Sequence, residues 1–135
     1  MNLPTRDEIC IFVDTSISNK QYNKKIVFLL PSITIERVKK KLSLNMIGFK
    51  CTISSHAVRH IKKGHPNDIK YICEIIDILE NFWKVKKSLT KCQKTGATLV
   101  SLEFYKRFDK NIVKLVKLRN YRNKALELKT LFVKD

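Results

Sequence analysis

All three histidines of this 135-residue chain fall within ten positions, His56, His60 and His65, in the pattern H-x3-H-x4-H. Residues four apart are neighbours on one helical stripe, and His65 follows Gly64 at a turn, so all three imidazoles can converge on one site. An imidazole exchanges its proton near neutral pH, so a pair of them can accept one proton and donate another. Cleavage of RNA needs such a pair. A base removes the 2′-hydroxyl proton, an acid protonates the departing 5′ oxygen, and Lys or Arg stabilises the added phosphorane charge. The i, i+4 spacing also suits zinc. The glutamate of H-E-x-x-H is missing, however, and positions 57 to 59 read Ala-Val-Arg, a cation where a carboxylate would help. Zinc is the weaker reading, and no metal or cofactor is expected.

Other residues could serve the same chemistry. Glu103 is the sole acid between Glu80 and Asp109; it could orient a histidine, act as base, or pair with a lysine across a strand. Lys117 and Arg119 are candidate phosphate stabilisers. Thr130 shares strand parity with Leu126, Leu128 and Phe132, which places it at the core edge. For nucleic-acid contact the chain offers Lys62 and Lys63, then Lys84, Lys86, Lys87, Lys91 and Lys94 beside Trp83, and Tyr105 further on. Lysines with interleaved aromatics suit backbone phosphates and stacked bases.

The elements that must position these residues belong to a strongly basic body. Lys and Arg number 28 against 12 Asp and Glu, a formal charge of +16, which points to a polyanionic partner. The field is uneven: from Asn81 onward there are 15 basic against 4 acidic residues. A hydrophobic content of 44% is too high for a disordered basic tail. No apolar run approaches the ~20 residues of a membrane span, and the N-terminus does not read as a signal peptide. Four cysteines without a C-x-x-C pair read as free thiols, with Cys73 a small core residue. Three glycines and three prolines leave no glycine-rich phosphate loop.

Glu8 to Val13 and Lys25 to Leu30 are β-branched and aromatic-rich and read as two strands. A helix then opens at Pro31-Ser32, with Ile33, Val38 and Leu42 on its inner face and Ser32 as cap. The hydroxyls of Thr52 to Ser55 cap a helix over Ser55 to Lys63, which Gly64 stops as a C′ residue. Pro66-Asn67-Asp68 starts a longer helix running from about Asp68 to Asn81. Four β-rich runs follow, at Phe82 to Val85, Thr98 to Lys106, Ile112 to Arg119 and Ala125 to Val133, the last three joined by short turns as an antiparallel meander. In the second run Leu102 and Phe104 face one way while Ser101, Glu103 and Tyr105 form a polar, open face. The expected fold is α+β: two helices followed by a four-stranded antiparallel sheet over 51–135, with a β-β-α extension over 1–50 packed on or beside it.

The segment ISSHAVRHIKKGHPNDIKYICEIIDILENF, with the strands LEFYKRFDKNIVKLVKL and ALELKTLFV, resembles the phage-associated barnase/EndoU/colicin/RelE-like nuclease domains. There a histidine-rich helix leads into a helix that begins after Pro-Asn-Asp, and a four-stranded antiparallel sheet follows. The resemblance covers about Cys51 to Asp135. It departs from the pattern in the KKSLTKCQKTG connection and after Leu118. It implies metal-independent cleavage of single-stranded RNA, a tRNA loop among the targets, to a 2′,3′-cyclic phosphate by a toxin or phage-linked effector. His60 and His65 would be its acid and base, with Glu103, Lys117 and Thr130 on the sheet. An acidic immunity or antitoxin protein would be a natural partner. Action in the cytoplasm is expected, whether the chain is phage-encoded or delivered within a larger protein. The rival readings are a non-catalytic RNA- or DNA-binding module, and an inactive phage accessory protein.

Overall fold

The first apolar run folds as a helix, not a strand. In the computed structural model, which describes residues 3–134, α1 (Arg6–Ser18) is opened by a reciprocal cap. The Thr5 hydroxyl accepts from the Glu8 amide at 3.1 Å, and the Glu8 carboxylate accepts from the Thr5 amide at 2.9 Å. Ile9, Phe12, Val13 and Ser16 recur at helical spacing and are buried. Cap and period together override the β-branched composition. Cys10 of this helix is joined to Cys73 in a disulfide, so the expectation of four free thiols fails; Cys51 and Cys92 are free. Met1, Asn2 and Asp135, at the outer ends of the two expected stretches, lie outside the described residues.

β1 (Lys25–Leu29) and α2 (Ser32–Leu42) follow. Pro31 takes the N-cap position, where Ser32 had been expected, and makes no side-chain cap bond. Thr34 and Val38 face the core while Ile33 is 43% exposed. The Thr34 hydroxyl donates to the Leu79 carbonyl at 2.6 Å, which explains a buried threonine where an isoleucine was expected. β2 (Lys50–Ser54) was not foreseen, because its hydroxyls read only as caps. Ser54 does both: it ends β2 and accepts from the Ala57 amide to cap α3 (Ser55–Gly64). Gly64 is the last helical residue and His65 is the cap, so α3 ends without a left-handed glycine. The expected single helix to Asn81 is divided into a 3-10 segment (Pro66–Glu74) and α4 (Ile75–Asn81). β3 (Lys84–Lys91) takes up most of the expected KKSLTKCQKTG loop, and β4 (Thr98–Phe108), β5 (Asn111–Asn120) and β6 (Ala125–Lys134) complete the meander.

Among the described residues the architecture is therefore α+β, with four α-helices and one six-stranded mixed sheet in the order β1-β2-β6-β5-β4-β3. β1 joins that sheet through β2, and β2 runs parallel to β6. α3 packs on β2 and β6, α2 on β3, and α4 on β4, while α1 covers α3 and the 3-10 segment. The sheet's inner face carries Phe28, Ile53, Leu126, Leu131, Leu115 and Phe104, all essentially inaccessible to water. Burying each such side chain contributes roughly 1.5–3 kcal/mol. Directly paired residues share a face, so the register also defines the outer face. One transverse row reads Lys86, Glu103, Val116, Thr130 and the next Lys84, Tyr105, Lys114, Phe132.

One irregularity decides where several candidates point. Val116 pairs with Thr130 and Lys117 with Leu128, so Lys129 is an extra residue, a bulge in β6. The parity that grouped Thr130 with Leu126 and Leu128 breaks there. Leu126, Leu128 and Leu131 lie inward, and Thr130 comes out on the same face as Phe132 and, across Val116, Glu103.

Candidate active site

Two ladders fork from a single row of the sheet. Ser101, Leu118, Glu127 and Thr52 are consecutive partners across β4, β5, β6 and β2. The β2–β6 pairing ends at Thr52 and Glu127, where β2 turns straight into α3 while β6 runs on beside the helix. The opening between them is a cleft of about 430 Å³. His56 and His60 line it from α3, Thr52 from β2, Glu127 and Lys129 from β6, and Lys25 from β1. Ser54 and Ala57 at the start of α3 also border it, so the positive end of the helix dipole sits at the cleft wall, where an anion is favoured. Both histidines are exposed. Arg59, the cation that had seemed to crowd them, is turned away: its guanidinium donates to the carbonyls of Ser16 and Tyr22 at 2.9 and 3.0 Å. Among the described residues no three His, Cys, Asp or Glu side chains gather as metal ligands would.

His65 does not join this cleft. The Asp68 carboxylate accepts from the Val133 amide at 3.0 Å, which ties the Pro-Asn-Asp start to the end of β6. His65 is thereby laid on Phe132, ring centroids 4.9 Å apart and planes 17° apart. The structure thus brings His60 together with His56 and sets His65 on the outer sheet face.

That face holds the second group. The Tyr105 hydroxyl donates to Glu103 at 3.0 Å, and the Lys114 ammonium lies 3.5 Å from the same oxygen. Partial burial pushes the Glu103 carboxyl up, but the bond from Tyr105, the Lys114 charge and the Ser88 hydroxyl outweigh it and hold it below its ordinary value. Burial, then the bond to and charge of Glu103, push the Tyr105 phenol up to about 12. The ammonium groups of Lys84, Lys134 and Lys114 stand 5.2, 5.3 and 5.9 Å from the Tyr105 ring centroid. Tyr105 is only 2% exposed and its hydroxyl is engaged, so it supports the lysines and is not free to stack a base. Trp83, at 53%, is open. Lys62, Lys63, Lys86, Lys87, Lys91 and Lys94 are exposed.

Lys117 corrects the expectation of a phosphate-binding lysine. It lies on the inner face, between Leu102 and Leu128, and is wholly buried. Its ammonium donates to the Thr52 carbonyl at 3.2 Å, at the point where the β2–β6 ladder stops. Burial lowers its pKa against the opposing charges of Cys51 and Glu127, and burial raises the Cys51 thiol despite Lys117. Arg119 is two residues further along β5, paired with Leu126, its guanidinium 5.3 Å from the Tyr121 ring centroid.

Glu127, Lys25 and Lys129 were not singled out from sequence. The usable signal was Glu127's rarity: it is the sole acid between Asp109 and Asp135, as Glu103 is in its own stretch.

The family model described as phage-Barnase-EndoU-ColicinE5/D-RelE like nuclease3 matches residues 31–135. The match begins upstream of Cys51 and takes in α2 and β2. No curated protein and no solved structure matches the chain.

Proposed function

We propose that this chain, which belongs to the phage-associated barnase/EndoU/colicin/RelE-like nuclease family, is an endoribonuclease that cleaves single-stranded RNA without a metal. A nuclease family implies a nucleic-acid substrate. RNA as that substrate is favoured by one observation: His56 and His60 share a cleft with one carboxylate and two lysines. In this reading one imidazole or Glu127 removes the 2′-hydroxyl proton. The other imidazole protonates the 5′ oxygen as the P–O bond breaks, leaving a 2′,3′-cyclic phosphate. Lys25, Lys129 and the start of α3 stabilise the charge on the phosphorane. His65 on Phe132, with Lys114, Thr130 and Glu103 beyond, guides the strand across the outer face. A toxin or phage-linked role, with an acidic neutralising protein set against the basic face, belongs to the same reading.

The test is incubation of total RNA with the protein in EDTA. Cleavage is expected, with His60→Ala and His56→Ala each losing about 10²-fold or more and His65→Ala losing far less. Undiminished cleavage by the His56/His60 double variant refutes the assignment. A second reading, a non-catalytic binding module, draws on the absence of any hydrogen bond orienting the three imidazoles among the described residues. It predicts salt-sensitive binding with no product.

A further inference from the structure

The row that opens the histidine cleft opens a second pocket on its other side. The β4–β5 ladder stops at Ser101 and Leu118, yet β3–β4 continues to Lys91 and Thr98, and β5–β6 continues to Asn120 and Ala125. The two hairpins splay apart, leaving a pocket of about 500 Å³ between them. Arg119, Tyr121 and Arg122 line it from the β5–β6 end, Thr98 and Leu99 from β4, and Glu127 closes its inner wall. Glu127 also lines the histidine cleft, so the two cavities share a wall.

The chemistry of this pocket is specific. Tyr121 is 72% exposed with the Arg119 guanidinium near its ring, a flat platform backed by a cation. Neither arginine is paired with a carboxylate among the described residues. The turn that carries Tyr121 and Arg122, just past Arg119 on β5, is held in shape, because the Asn120 side chain accepts from the Asn123 amide at 3.2 Å and Lys124 takes a left-handed φ of 50°. An exposed aromatic face on that turn, beside unneutralised guanidinium groups, suits a nucleobase stacked above its phosphate. The volume falls within the range of small-ligand pockets.

We infer that this pocket is a second nucleotide subsite, which holds a base and phosphate of the same single strand whose scissile linkage lies in the histidine cleft. The inference rests on the nucleic-acid reading above but not on catalysis. With Glu127 as the common wall, a strand crossing it is engaged on both sides of the cut, which fits cleavage within a chain better than removal of terminal nucleotides.

The experiment uses fluorescein-labelled 2′-O-methyl RNA, which has no 2′-hydroxyl to attack, in lengths of roughly two to eight nucleotides. Affinity for the wild-type protein should step up once the chain reaches both cavities. Tyr121→Ala should abolish the step, weakening the longer oligomers about tenfold, the effect of losing one base stack, and leaving the shortest unchanged. Arg122→Gln should lower the salt slope for long oligomers by about one contact. Both residues are exposed in a turn, so the variants should fold, as circular dichroism would check. A step that depends on Tyr121 in a protein that cleaves nothing upholds the subsite while the catalytic reading fails. Affinities that do not grow with length, or that are equal in variant and wild type, overturn it.

Discussion

Lys117→Met tests the sharpest energetic feature of the fold, an ammonium in the middle of an apolar row. The side chain has no exposure, lies between Leu102 and Leu128, and makes one hydrogen bond, to the Thr52 carbonyl at 3.2 Å. Methionine keeps the shape and removes the charge. Burial lowers the native pKa of Lys117 below its ordinary 10.5, so between those two values the unfolded chain binds more protons than the native one. Native stability therefore rises with pH across that window, by at most about 1.4 kcal/mol per pH unit for one proton. Below the window the wild-type protein bears the full cost of the buried cation, and the variant does not. Below that window the variant should be the more stable, by about 1–4 kcal/mol on the scale seen when a buried ion pair gives way to apolar residues, less about 1 kcal/mol for the unpartnered Thr52 carbonyl. The advantage should shrink as pH rises through the window toward the ordinary 10.5. Urea denaturation of both proteins over a series of pH values up to the ordinary 10.5 reads this directly, because exposed groups titrate alike in both and cancel in the difference. A stability difference that does not vary with pH, or a variant less stable at every pH, would refute the buried-cation account.

Three other outcomes follow from the geometry. Thr5→Ala removes half of the reciprocal cap on α1 and should cost about 1 kcal/mol in chemical denaturation; no loss would mean that tertiary packing alone holds that helix. Reduction of Cys10–Cys73, which are 63 residues apart, should lower stability by about 4 kcal/mol on the chain-entropy model, read as a fall in Tm on adding dithiothreitol. An unchanged Tm would show that the link contributes nothing. Glu103→Gln removes the carboxylate that helps push the Tyr105 phenol up to about 12, so ultraviolet titration of that phenol should move down toward 10 while burial keeps it above. An unmoved titration would mean that Glu103 does not hold the hydroxyl.

Local features of this chain were legible where one short segment decides them. The His56–His60 stripe, the Ser54 cap, the helix start at Pro66-Asn67-Asp68 and the meander from Thr98 onward each need only a few neighbouring residues. The run EICIFV misled because its β-branched residues obscure a helical period that Thr5 and Glu8 make decisive. Long-range pairing was harder. β2 meets β6 across more than seventy residues, and nothing local to Lys50–Ser54 marks it as an inner strand. The Lys129 bulge is equally silent in sequence, yet it turns Thr130 outward, while Lys117 across the ladder stays inside.

The two acids show what that register adds. Glu103 and Glu127 are equally conspicuous as isolated carboxylates in a basic stretch, and rarity alone favours neither. Register separates them. Glu103 falls in a row with Lys86 and one step from Lys114 and Tyr105, so its charge is already engaged. Glu127 falls on the row where two ladders end, and it makes no ion pair among the described residues. Glu127 sits on the last pair of the β2–β6 ladder, and the cleft that opens there is lined by two imidazoles. In the proposed function, the excess of positive charge on the C-terminal strands draws a polyanion to this face, and the fork at Glu127 gives its backbone somewhere to enter.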